Sequence, residues 1–142
     1  GCLGKQSIAV SEYGMCFADD NNIYLHDGRT PRAIGEPILR GDATYSWQNK
    51  SKWAVYQIGD FARREIISFD GKRNSFVIFF KASNDDYMAW AYNIARNRWD
   101  LWDVLGTTSP TGGISGGEGE ILIGDASNSS LKRYLQGGGY IN

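Results

Sequence analysis

The chain has 142 residues, one ordinary domain's worth of material. Hydrophobic residues make up 42% of it and charged residues 22%, which excludes a disordered chain, and a formal net charge of −1 leaves no global basic field of the kind that announces nucleic-acid binding. An aromatic content of 13% with 18 glycines points to all-β structure, because glycine makes tight turns and flat rings fill the layers between sheets.

In chain order, residues 7–11 (Ser-Ile-Ala-Val-Ser) read as a short strand turned by Glu12-Tyr13-Gly14. Residues 15–18 form a second strand and residues 23–26 a third, separated by the tight turn Asp19-Asp20-Asn21-Asn22. Asp27-Gly28 ends the unit. Residues 30–40 hold Pro31 and Pro37 and read as an extended connection with one helical turn. In residues 41–59, Tyr45, Trp47, Trp53, Val55 and Ile58 fit a strand pair turned at 48–52, with a short amphipathic helix as the competitor.

The centre of the chain is the clearest stretch. Residues 65–69, 75–81, 87–92 and 98–104 read as four strands with a turn or loop between each pair. Connections this short allow only antiparallel neighbours, so the four strands form a meander. Phe76-Val77-Ile78-Phe79-Phe80 is apolar at every position, so this strand is expected to be covered on both faces. A polar, Gly-rich loop is expected over 106–119, followed by strands at 120–124 and 131–135. Gly137-Gly138-Gly139 then frays into the end.

One grammar recurs three times: an apolar strand, a polar turn of Asp, Asn or Ser, then a strand with Tyr or Trp. It runs over 15–25, 88–102 and 121–134. The spacing is roughly 40 residues for the last two and longer before them, and recurrence of a β-meander at such spacing is the signature of propeller blades. The fold class expected is therefore all-β, an antiparallel meander of propeller-blade type. The chain is one β domain with blade-like units over approximately 5–35, 42–105 and 112–136. That is material for about two to three blades, whereas a closed propeller has about 4–8. Closure thus needs a longer polypeptide or further chains.

No stretch approaches the roughly 18 apolar residues of a membrane span, and no signal peptide is visible. A first residue other than Met suits a processed piece or a fragment of something longer. Cys2 and Cys16 read as free thiols of a reducing compartment, without the paired Cys/His spacing of a zinc site.

The chemistry-bearing residues all have a structural reading that outweighs a catalytic one. His26 is the sole histidine and has no Ser or Cys nucleophile in a recognisable frame with it. Asp19-Asp20 and Asp85-Asp86 could offer oxygen ligands to Ca²⁺, but adjacent acids in hairpins more often form turns. The glycines 112, 113, 116, 117 and 119 lack the P-loop Lys-Ser/Thr, so they read as a mobile loop and not as a phosphate cradle. Trp90, Tyr92, Trp99 and Trp102 could stack sugars or bases, but inside a meander they read as core. Arg63-Arg64, Arg96 with Arg98, and Lys132-Arg133 are the basic clusters, read as solvated faces ahead of phosphate contacts. No catalytic, cofactor-binding or metal-binding residue is assigned, and no cofactor is expected.

Several phrases carry a family resemblance. They are Gly1-Cys2 leading to Ser7-Ile8, the run Ile23-Tyr24-Leu25-His26-Asp27-Gly28, and Pro31 with Ile34. Further on come the strand at 87–92, Trp99 closely followed by Trp102, and Gly124-Asp125 followed by 131–135. Together they resemble the propeller-bearing neck and tail-tube (nozzle) proteins of short-tailed bacteriophages, including packaged-DNA-stabilising types. The resemblance covers nearly the whole chain except 47–58. It implies a non-catalytic structural protein of the virion, assembled in the host cytoplasm in the head-to-tail region. Its partners would be copies of itself in a ring, neighbouring virion proteins and, weakly and without sequence preference, DNA. The alternative is a carbohydrate-binding or glycan-processing propeller, which would need a carboxylate pair in a pocket with exposed aromatics.

Overall fold

The computed structural model describes residues 8–19, 22–39, 66–81, 87–102, 110–115, 121–125, 130–133 and 140–141. Its strands fall into three four-stranded antiparallel sheets, each a meander in chain order. The first sheet holds β1 (Ile8–Ser11), β2 (Gly14–Ala18), β3 (Ile23–His26) and β4 (Pro31–Ala33). A single helical turn, α1 (Glu36–Leu39), follows it. The second holds β5 (Ile66–Asp70), β6 (Ser75–Lys81), β7 (Tyr87–Asn93) and β8 (Arg98–Trp102). The third holds β9 (Pro110–Ser115), β10 (Ile121–Asp125), β11 (Ser130–Arg133) and β12 (Tyr140–Ile141). The protein is thus an all-β chain of antiparallel meanders.

Cross-strand partners share a face of a sheet, so the register shows how the sheets stack. On one face of the second sheet lie two rows, Ile67-Ile78-Trp90-Leu101 and Phe69-Phe76-Tyr92-Trp99. These pack with Cys16, Ala18, Ile23 and Leu25 of the first sheet in one continuous core. On the opposite face, Ile66, Val77, Phe79, Ala89 and Ala91 pack with Ile121 and Ile123 of the third. The second sheet is therefore sandwiched. This accounts for the unbroken apolar run 76–80, in which no side chain is more than 1% exposed. Even residues point to the first sheet and odd residues to the third, so strict alternation of polarity has no reason to appear. Full burial of each such side chain contributes roughly 1.5–3 kcal/mol.

The first strands of the three sheets are neighbours, with β5 lying alongside both β1 and β9. The connection after the first sheet closes the gap between it and the second. Ile34 and Ile38 are both buried in the shared core. Ile34 N–H donates to Ile23 O at 2.8 Å, and Asn22 Oδ1 accepts from both Ile23 N and Gly35 N. Gly14 begins β2 at φ 129°, a conformation that side chains avoid, and a Cβ there would meet the His26 carbonyl oxygen at 2.5 Å.

Three expectations from the sequence are corrected. The stretch 30–40 holds its helical turn but also β4, so the first unit does not end at Asp27-Gly28. Pro31 opens that strand, where a missing N–H costs no ladder bond. The Gly-rich stretch 106–119 contains β9, in which Gly112 and Gly113 stand opposite Gly124 and Ile123. Glycine has weak strand preference on its own, and pairing with β10 overrides it. The strand expected at 131–135, whose edge would be open to a neighbour's strand, is described over Ser130–Arg133, where β11 is hydrogen-bonded to β10 on one side and β12 on the other and so is not an open edge. The expected strand pair at 41–59, the turn at 82–86 and the fraying glycines 137–139 lie outside the described residues.

Candidate interaction surface

Two hairpins of the second sheet form the most organised surface feature among the described residues. Asp70 stands opposite Ser75 and Asn93 opposite Arg98, so each hairpin brackets four residues, 71–74 and 94–97. Both loops end in Arg-Asn, and both closing asparagines sit in the left-handed region, Asn74 at φ 49° and Asn97 at φ 50°. Asparagine tolerates this region because its short amide can bond locally. Both loops also open on a side chain that caps them. Asp70 Oδ1 accepts from the Lys72 and Arg73 amides at 3.0 and 3.2 Å. Asn93 Oδ1 accepts from the Arg96 amide at 3.0 Å.

The loops are docked to each other. Ile94 N–H donates to Asn74 O at 3.1 Å, and Asn93 Nδ2 donates to Arg73 O at 3.4 Å. The edge so formed carries Lys72, Arg73, Arg96 and Arg98. Fully buried Asp70 accepts from Arg73 Nη1 at 2.9 Å, and Asp100 accepts from Arg98 Nη2 at 3.2 Å. The Arg98–Asp100 pair is exposed and contributes little to stability. Lys72 and Arg96 are exposed. The edge is thus mildly basic, with the carboxylates of Asp70 and Asp100 set against Arg73 and Arg98.

Of the aromatics singled out from the sequence, Trp90, Tyr92 and Trp99 are brought together, but as packing, while Trp102 is placed on β8 by backbone alone. Tyr92 and Trp99 have centroids 5.0 Å apart, and Trp90 meets Trp99 edge-on at 6.5 Å. The Tyr92 hydroxyl donates to Asn97 Oδ1, tying the aromatic layer to the hairpin. Burial raises the Tyr92 phenol above its ordinary pKa, and the neighbouring Arg32 guanidinium opposes the rise. At the other end of the layer Trp99 Nε1 donates to Ile34 O at 2.7 Å. Trp90 and Trp99 are half-buried and pack against the core between the first two sheets, not on a solvent-facing platform.

His26 lies at the end of β3, where its Nδ1 accepts the Gly28 amide at 2.9 Å, which is a turn contact. Asp27 Oδ1 accepts the Arg29 amide at 2.9 Å, and this backbone hydrogen bond holds its carboxyl below the usual carboxylate range. Asp19 accepts the Asn22 amide at 2.9 Å, as a turn former does. Burial first, then the charge and hydrogen bond of Asp19, raise the Tyr24 phenol. No group of three His, Cys, Asp or Glu side chains that could hold a metal ion occurs among the described residues. Cys16 is fully buried between the first two sheets, and burial pushes its thiol pKa well up. Asp20, Asp85, Asp86, Arg63, Arg64 and the glycines 116, 117 and 119 lie outside the described residues. Lys132 and Arg133 are placed on β11 by backbone alone.

Sequence reasoning missed the paired hairpins, although the doubled Arg-Asn ending was a signal for them. It also missed the Asp70–Arg73 pair, for which Asp at the opening of a turn was the available cue. No helix among the described residues is long and apolar enough to cross a membrane. Comparison with protein-family models, with curated proteins and with solved structures finds no match to this chain.

Proposed function

We propose that the chain is a structural, non-catalytic subunit of a tailed-bacteriophage virion, in the head-to-tail or tail-tube region, where copies build part of a ring around a DNA conduit. The observation that carries this reading is the run of three meanders stacked face to face with β1, β5 and β9 side by side. Adjacent propeller blades stack in this way, so we read the chain as a segment of a ring that gains stability by being completed. The charge distribution supports the conduit. Affinity for DNA grows with the number of phosphates neutralised, and passing DNA must not be held. A chain of net charge −1, with Asp70 and Asp100 paired to Arg73 and Arg98 on its described basic edge, suits a weak, sequence-blind contact, with Arg96 and Arg98 grazing the backbone.

Electron microscopy of the concentrated protein, with a salt-dependent titration of duplex DNA, tests the reading. Closed rings and micromolar or weaker DNA binding that vanishes with salt are the expected results. Nanomolar sequence-specific DNA binding, or hydrolysis of a glycan abolished by changing one carboxylate, would overturn it.

A further inference from the structure

We infer that the outward face of the first sheet is the docking surface for a second copy of this chain, which lays the outward side of its third sheet on it. The inference rests on the proposed ring and names the face that builds it.

The first two sheets are built on equivalent positions. The opening hairpins of the first two sheets align at Ser11↔Gly14 and Asp70↔Ser75. With that alignment, the row Ala9-Cys16-Leu25 corresponds to Ser68-Val77-Ala91, and each row faces the next sheet along the chain. The other face then corresponds too. Ile8-Phe17-Tyr24-Ala33 matches Ile67-Ile78-Trp90-Leu101, and Val10-Met15-His26-Pro31 matches Phe69-Phe76-Tyr92-Trp99. In the second sheet these rows are the core against the preceding sheet. Among the described residues no preceding sheet covers the same rows of the first sheet: Val10 is 71% exposed and Ile8 37%, while Met15, Phe17 and Tyr24 are only partly covered.

The face is nonetheless built as a packing surface. Phe17 and Tyr24 stack at 5.2 Å with their planes 22° apart, and five of its eight positions are Ile, Val, Met, Phe and Tyr. Large apolar side chains gathered on one exposed sheet face mark an interaction site. The occupant follows from the direction of stacking. Within the chain the trailing face of one sheet always receives the leading face of the next, at two successive interfaces. A third interface of the same kind joins the leading face of the first sheet to the trailing face of a third sheet. By register, that trailing face of the third sheet holds positions 112, 114, 122, 124, 131, 133 and 141, with Ile or Leu at four of them and Gly112, Gly124 and Arg133 at the others. Such a head-to-tail contact is heterologous, and it closes a ring when the rotation per copy permits.

Light scattering across a concentration series tests this, using the whole chain, Val10→Asp and a cysteine pair. Val10 is mostly exposed, so Val10→Asp is expected to fold with an unchanged far-ultraviolet spectrum and to self-associate roughly tenfold more weakly or worse. In a Cys2→Ser background, Val10→Cys with Leu122→Cys is expected to give an inter-chain disulfide under mild oxidation that neither single cysteine gives. An oligomer that Val10→Asp leaves intact would overturn the docking face while leaving the ring standing. A disulfide formed by Val10→Cys alone would mean leading face on leading face and would overturn the head-to-tail pairing. A wild-type chain that stays monomeric at high concentration would overturn both the docking face and the ring.

Discussion

The indole N–H of Trp99 donates to the carbonyl of Ile34 at 2.7 Å across 65 residues of sequence, fastening the last strand of the second sheet to the connection that leaves the first. Ile34 is itself held to β3 through its amide and buried in the shared core. The bond therefore ties two sheets at their outer strands, where β1 and β5 cannot reach. Trp99→Phe keeps a ring in the layer but leaves a buried carbonyl without that donor. We expect a loss of about 1–3 kcal/mol in unfolding free energy, read from the urea midpoint at unchanged slope. A loss below about 0.5 kcal/mol would show that the bond is incidental.

Phe79 faces the third sheet from the centre of β6 and is completely buried. Its neighbours on that face include Ala89 and Ala91, too small to collapse into the space it would leave. Phe79→Ala is therefore expected to cost about 3–5 kcal/mol. Calorimetry or urea unfolding checks this, and a cost under about 1 kcal/mol would remove β6 from the core.

How much of this was legible in the sequence depended on where side chains find their partners. The second sheet could be read directly because its strands are rich in aromatic and β-branched residues and its turns carry Asp-Gly and Arg-Asn. The strand β4 could not, since Pro31, Arg32 and Ala33 are all exposed and present neither an apolar run nor alternation. The strand β9 was hidden by Gly112 and Gly113, whose strand conformation comes from β10 and not from their own preference. The aromatics were recognised as core, but the Trp99–Ile34 bond is a contact between distant segments that no local pattern encodes. The outward rows of the first sheet became visible only when register aligned them with buried rows of the second.

Cys16 offers a test by pH and by reagent. Its thiol is fully buried, and burial disfavours the thiolate, raising the folded pKa above that of an exposed cysteine. The contribution to stability is fully present below the unfolded thiol's value of about 8.5. It is lost progressively as pH rises from there toward the folded value. In a Cys2→Ser background, alkaline pH should therefore destabilise the wild-type thiol relative to Cys16→Ala. A thiol reagent should label Cys16 only at the rate at which the sheets open, and immediate labelling of the native protein would contradict its placement between them.

Ser68 supplies the last expectation. Its hydroxyl is buried on the face towards the third sheet, with no hydrogen-bond partner among the described residues. Its side chain shares a row with Val77 and Ala91. A hydroxyl taken out of water without a compensating bond costs about 1–3 kcal/mol by mutational scales. At the equivalent position of the first sheet the chain has Ala9, which meets the same geometric demand without a polar atom. Removing Oγ leaves a void smaller than a methyl group, so the packing loss is less than the desolvation recovered. Ser68→Ala is accordingly expected to stabilise the protein by about 1 kcal/mol, seen as a higher urea midpoint at the same slope. Destabilisation by a similar amount would mean that the hydroxyl bonds a group that reaches the interface between these sheets in solution.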